Sequence, residues 1–204
     1  MTPLDAGPVE PDSALHADAA RPSRREQILR AAAQLFAERG SRSVGVDDVG
    51  AAVGVTGPAI YRHFASKDAM LAEMLVRISE RLLAGGTDQV AAAGDDPVDQ
   101  LRALIAFQVD FALDNPALIT VQDRDLGQLP DGEARQVRRL QRRYVEVWVA
   151  VIARLDPAAD DATCRARAHA VFGLINSTPH SAGRLPRAAM AALLTSMAWA
   201  AATA

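Results

Sequence analysis

The sequence predicts an all-α protein of about nine helices, with a small three-helix unit ahead of a larger helical body. Three observations carry this expectation. Apolar residues recur at helical spacing from residue 23 onward. No alternating apolar–polar run is long enough for a half-buried strand. Capping residues, Gly or Pro bound nearly every stripe. Half of the 204 residues are hydrophobic, enough for one or two small domains.

The first helix opens at Ser23 with Glu26 three residues later, the signature of a capping box. Ile28, Leu29, Ala32, Leu35 and Phe36 make its stripe, and Gly40 ends it. Residues 1–22, rich in Pro, Ala and acids, read as a disordered arm without the basic start and apolar core of a signal peptide. The second helix carries Val46, Val49 and Val53, with Asp47 and Asp48 in its first turn, where negative charge suits the helix dipole. Gly54 closes it. The third is short, with Thr56 as N-cap and Pro58 in the first turn.

Ser66 caps the fourth helix, whose stripe from Met70 to Leu82 is expected to end at Gly85-Gly86. A fifth starts near Pro97. Asn115-Pro116 separates it from a short sixth, and residues 127–132 read as a loop. The seventh is long, with Val137, Leu140, Tyr144, Trp148, Val151 and Leu155 inward; Asp156-Pro157 breaks it. An Ala-rich eighth spans about residues 160–177, and a ninth starts at Pro186. No apolar run reaches the roughly 20 residues of a membrane helix, and a cytoplasmic setting is expected. The single cysteine, Cys164, excludes an internal disulfide and reads as a small buried residue.

The net charge of −3 gives no general attraction to nucleic acid, so DNA binding has to rest on local charge. The stretch from Val46 to Lys67 supplies it. Two short helices are joined by Val53-Gly54-Val55-Thr56, and the second would enter a major groove with its N-terminus first. Tyr61-Arg62-His63-Phe64-Ala65-Ser66-Lys67 follows, offering donors to phosphates and base edges. Lys67 is the only lysine among 22 basic residues, which suits a position wanting a compact point charge. It lies in the first turn of the fourth helix, where free backbone N–H groups can share a phosphate.

Residues 24–71 resemble the DNA-binding headpiece of the TetR family: RREQILRAAAQLFAERG is similar to its first helix, and VDDVGAAVGVTGPAIYRHFASKDAML to its helix-turn-helix and the start of its fourth. The resemblance implies a headpiece at residues 23–66 and a ligand-binding, dimerising body at 67–204. It makes Thr56, Gly57, Pro58, Ala59 and Tyr61 groove-facing, with Arg62 beside them. Tyr61, His63 and Lys67 would grip phosphate, and Arg24 and Arg25 could reach the neighbouring backbone. The sequence departs from the family pattern at Val44-Gly45, where Thr or Ser is usual. Gly45 can cap but lacks the hydroxyl. Pro58, where glycine is common, stiffens the recognition helix.

In the body, Phe107, Phe111, Leu118, Ile119, Tyr144, Trp148, Phe172 and Ile175 are candidates to line a pocket, with Gln108, Gln122, Asn176 and His180 as polar members. An ordinary core is the alternative for each. Arg135, Arg138, Arg139, Arg142 and Arg143 on the seventh helix read as a solvated face paired with nearby acids, or as a site for the phosphates of an acyl-coenzyme A, a ligand class of the family. The resemblance further implies a homodimer joined through helices eight and nine, a roughly palindromic double-stranded operator, and repression relieved by a small, largely apolar effector. The fourth helix would be the lever. No cofactor or metal is expected. The absence of HExxH, GxSxG and phosphate-loop motifs argues against the rival class, a helical enzyme. A dimeric regulator without any small-molecule ligand stays open as a second rival.

Overall fold

The structure, a computed structural model, describes residues 22–181, 183 and 185–204. The predicted arm at residues 1–22 therefore lies, but for Pro22, outside the described residues. The described elements are helical, in the order α1 (Arg24–Arg39), α2 (Val46–Ala52), α3 (Gly57–Ile60), α4 (Lys67–Ala92), α5 (Pro97–Asp114), α6 (Pro116–Asp125), α7 (Asp131–Leu155), α8 (Asp161–Ile175), α9 (Thr178–Ser181) and α10 (Arg187–Thr203). The nine predicted helices are present. The four-residue α9 is an addition to them.

α1 begins as predicted. The Ser23 side chain accepts from Glu26 N, and Glu26 returns to the Ser23 backbone N–H at 2.7 Å. Ile28, Ala32 and Phe36 are fully buried and face the rest of the headpiece. α2 meets α3 through the turn at Gly54, whose φ of 71° is a left-handed value that a side chain would strain. Asp48 Oδ2 accepts from Gly45 N at 2.7 Å, so the glycine entry to α2 is secured from inside the helix. Thr56 sits at the N-cap of α3, but its side chain makes no capping bond. The cap here is conformational only.

α4 does not end at Gly85-Gly86 but runs through both to Ala92. Those glycines are close-approach positions, not breakers. A Cβ at Gly85 would enter the Phe107 ring, and one at Gly86 would enter the Tyr144 ring. α5 and α7 thus seat an aromatic each on α4, and backbone propensity yields to packing. α5 starts with Asp96 accepting from Val98 N, and α8 with Asp160 accepting from Thr163 N. The loop expected over 127–132 is partly helical, a 3-10 turn at Leu126–Gln128 followed directly by α7.

One hydrophobic core runs without a break from Ile28 in the headpiece to Ala202 in α10. Trp148 is its largest fully buried side chain, and Cys164 is fully buried as expected.

Candidate DNA interface and effector cavity

The outward face of the helix-turn-helix is built from few residues. Tyr61 is 56% exposed although it is a large aromatic, and Thr56, Pro58 and Arg62 are exposed beside it. Ala59 and His63 are half-buried on the flank, and Gly45 is exposed at the start of α2. Ile60 and Phe64 turn inward and are nearly fully buried. The alternation follows from helical spacing: α3 continues as a turn in which Phe64 N donates to Ile60 O at 3.0 Å. Ser66 Oγ caps α4 by accepting from Ala69 N at 3.0 Å, and half-buried Lys67 reaches Arg42 O at 3.4 Å. These side chains form one surface patch at the mouth of α3 and α4.

Two expected members of this surface have other tasks. Gly57 is buried, and a Cβ there would collide with the Asp47 carboxylate, so it is the close contact between α2 and α3. Arg25 is engaged inside the headpiece. Its guanidinium pairs with Glu73 of α4, donates to His63 O and lies 4.3 Å from the Phe64 ring centroid. That partnership holds the Glu73 carboxyl below its ordinary range, with Arg77 at 2.8 Å contributing. Arg25 therefore positions the recognition segment against α4. Exposed Arg24 donates to Val53 O at 2.6 Å and to Gln27 at 2.9 Å, tying α1 to the turn of the motif.

In the body a cavity of about 350 Å³ opens among α4 to α8. Of the predicted lining, Gln108, Gln122, Tyr144, Phe172 and Asn176 meet there. The Tyr144 hydroxyl donates to Gln108 Oε1 at 2.9 Å, and Gln108 Nε2 donates to Asn176 Oδ1 at 3.3 Å. Burial pushes the Tyr144 hydroxyl far above its usual range, so it stays a neutral donor. Phe172 packs 5.5 Å from Tyr144 and 5.1 Å from Trp148, ring centroid to centroid. Trp148 and Ile175 are fully buried core behind this wall. The Trp148 Nε1 donor has no partner among the described residues.

The remaining candidates fall elsewhere. Phe107 packs on Gly85, and Ile119 is core. Phe111 and Leu118 line a separate cleft against α1. His180 is exposed and does not line the cavity, where burial raises the Asp123 carboxyl pKa. Sequence reasoning missed Gln141, His169, Asp123, Leu82, Val145 and Leu126 as lining. A signal existed for two of them, since Gln141 precedes Tyr144 by three residues and His169 precedes Phe172 by three, placing each pair on one helix face.

The α7 arginines are exposed, and among the described residues no carboxylate lies within 4.0 Å of any of the five, so pairing with those acids is not what holds that face. Arg138 and Arg142 join Arg165 and His169 around a recess of about 230 Å³. It shares Gln141, Val145 and His169 with the cavity, so the two adjoin.

The body is also wired to the headpiece. Arg124 on α6 donates to Phe36 O and, at 3.3 Å, to Ala37 O, covering carbonyls at the C-terminal end of α1. Fully buried Asp125 accepts from Gln128 at 2.6 Å, and Ser41 donates to Gln128 at 3.0 Å.

An all-helical chain with an exposed recognition face after a glycine turn, joined to a body with a cavity, defines the helix-turn-helix class of DNA-binding regulators. Residues 28–74 match the bacterial regulatory proteins of the tetR family, and residues 94–201 match the tetracyclin repressor-like C-terminal domain. The chain belongs to the TetR family, whose members are regulators and not enzymes. It is 31% identical over 131 residues to the HTH-type transcriptional repressor KstR2 of Rhodococcus jostii (strain RHA1), covering 63% of each protein. The match thus spans less than two thirds of that relative's length. The fold is similar to that of the ketosteroid transcriptional regulator KstR2 of Mycobacterium tuberculosis (TM-score 0.75, 21% identity, 90% of this chain and 95% of that one). It is also similar to AibR solved with isovaleryl coenzyme A and operator DNA (TM-score 0.72, 17% identity, 86% and 97%).

Proposed function

We propose that the protein is a homodimeric, cytoplasmic repressor that binds a palindromic operator and is released by an acyl-coenzyme A. The observation that carries the ligand class is the recess rimmed by Arg138 and Arg142, which adjoins the cavity and shares Gln141, Val145 and His169 with it. An acyl chain suits the wall of Leu82, Tyr144, Val145 and Phe172, and guanidiniums suit phosphates. The Gln108–Asn176 pair in the wall offers hydrogen bonds to a thioester carbonyl or an acyl substituent. AibR, of similar fold, was solved with such a ligand, and the KstR2 relative is described as a repressor.

Tyr61, Thr56, Pro58 and Arg62 would read the groove, with His63 and Lys67 on phosphate. The dimer face would be the outer side of α8 and α10, where Leu193 and Met197 are 45% and 46% exposed. Two-fold symmetry then sets half-sites about one helical turn, roughly 34–36 Å, apart or a multiple of it. Coupling would run through two elements. α4 carries Lys67 at one end and cavity-lining Leu82 further along. α6 carries Gln122 and Asp123 in the cavity wall and, one residue on, Arg124 on the α1 carbonyls. A ligand that shifts α6 moves the support of the headpiece, and a coupling of ~1–3 kcal/mol changes operator occupancy 5–150-fold.

The test is fluorescence anisotropy of the purified protein on DNA from upstream of its own gene and on a scrambled control. Selective binding is expected, with a log–log salt slope of about −0.9 per phosphate contacted. Acyl-CoAs of graded chain length should then release the probe, and free coenzyme A should not. Selective DNA binding that no acyl-CoA alters would retire the ligand assignment. Equal weak binding to both probes, with no selective fragment recovered from the whole genome, would retire the regulator reading.

A further inference from the structure

We propose that the junction between headpiece and body holds a second binding site, for a short amphipathic carboxylate. The site is the cleft between α1 on one wall and α4, α5 and α6 on the other. It has about 180 Å³ floored by Leu29, Met74, Ile78 and Phe111, and it adjoins a recess of about 440 Å³, with Arg30, Arg81 and Leu118 lining both. It lies apart from the effector cavity and shares no lining residue with it. The inference is independent of the acyl-CoA assignment.

The charge balance of the cleft specifies the ligand. Arg30, Arg77 and Arg81 rim it. The nearby acids are committed: Glu26 to the capping box with Ser23, Glu73 to Arg25 and Arg77, and Asp114 to Arg187 at 2.9 Å. Arg30 and Arg81 have no carboxylate within 4.0 Å among the described residues. Glu26 lines the cleft too, near Arg30 and Arg77, yet the guanidiniums of Arg30, Arg77 and Arg81 outnumber it, and a carboxylate ligand would take charge-assisted, bidentate hydrogen bonds from Arg30 and Arg81. Arg81 already lies 5.7 Å from the Phe111 ring centroid, so one face is stacked and its donor edge is left for a ligand. Below the charged rim the floor is aliphatic and aromatic, which takes a short alkyl tail and offers nothing to a second charge. Occupancy would bridge α1 to α4, α5 and α6, tying the headpiece to the body.

Calorimetric titration of the full chain with octanoate, and with octanol as the uncharged analogue, tests the site. Octanoate is expected to bind the unaltered protein, and to bind the R30Q/R81Q double variant at least tenfold more weakly. Octanol should not distinguish the two. Leu118→Trp, which fills the cleft from the α6 side without touching the charges, should also weaken octanoate. Val145→Trp, which fills the effector cavity instead, should leave its affinity unchanged. Unfolding midpoints of the variants close to that of the unaltered chain exclude loss of fold as the cause. Equal octanoate affinity in the unaltered and R30Q/R81Q proteins overturns the proposal, as does loss of binding only in Val145→Trp. Absence of any binding at millimolar octanoate overturns it as well.

Discussion

The headpiece and the body solve the same problem of packing helices in opposite ways. In the headpiece α2 and α3 are seven and four residues long, too short to hold themselves. They are fixed by specific polar clips: Arg25 on Glu73 and His63 O, Arg24 on Val53 O, Asp48 on Gly45 N. In the body α4, α5 and α7 are long, and α5 and α7 each seat an aromatic on a glycine of α4. There Tyr144, Gln108 and Asn176 bring a hydrogen-bonded polar chain to the cavity wall. The difference teaches where adaptability resides. A recognition surface must keep one geometry and is tied down bond by bond, whereas a ligand chamber keeps polar groups and space in its wall for a ligand.

The largest test of this contrast removes the α1 anchor. Phe36→Ala, at a fully buried position, is expected to destabilise the protein by about 3–5 kcal/mol. DNA binding should vanish with the fold, as read by urea unfolding and anisotropy together. Gly86→Val next sets a branched side chain into the Tyr144 ring. It should cost about 1–3 kcal/mol and narrow the cavity, visible as a lowered midpoint with loss of effector response. A similar cost, about 1–3 kcal/mol, is expected for Gln108→Leu, which strands the buried Tyr144 hydroxyl. If Gln108→Leu proves neutral, the cavity wall is softer than the hydrogen bonds imply.

Smaller effects probe the headpiece. Lys67→Ala should leave stability unchanged, weaken binding about equally on all DNA sequences, and reduce the salt slope by roughly 0.9. An unaltered slope would take Lys67 off the phosphate. Glu73→Gln should cost about 1 kcal/mol, because the pair with Arg25 is only partly sheltered. Its folded pKa is lowered, so the stabilisation is complete above the unfolded value of about 4.3. It is lost as pH falls through the lowered folded value. The variant should lack that acid-side loss, which a pH series of unfolding midpoints would read.

Much of the molecule was legible in the sequence because its signals are local. Ser23, Ser66 and Asp160 mark helix starts through side-chain contacts within one turn, and Pro97 and Pro186 mark starts by their fixed backbone. The helix-turn-helix lies within residues 46–67, and the inward Ile60 and Phe64 against outward Tyr61 and Arg62 follow from helical spacing alone.

What only the tertiary structure decided depends on partners far along the chain. Gly85-Gly86 read as a stop until Phe107 and Tyr144 explained them as seats. Arg25 read as able to reach the DNA backbone, whereas the fold pairs it with Glu73, 48 residues away. The aromatics of the body split into core, cavity wall and junction cleft, although all carry the same apolar signature. Helical periodicity tells which face of a helix is inward, and only the packing of one helix on another tells what that face meets.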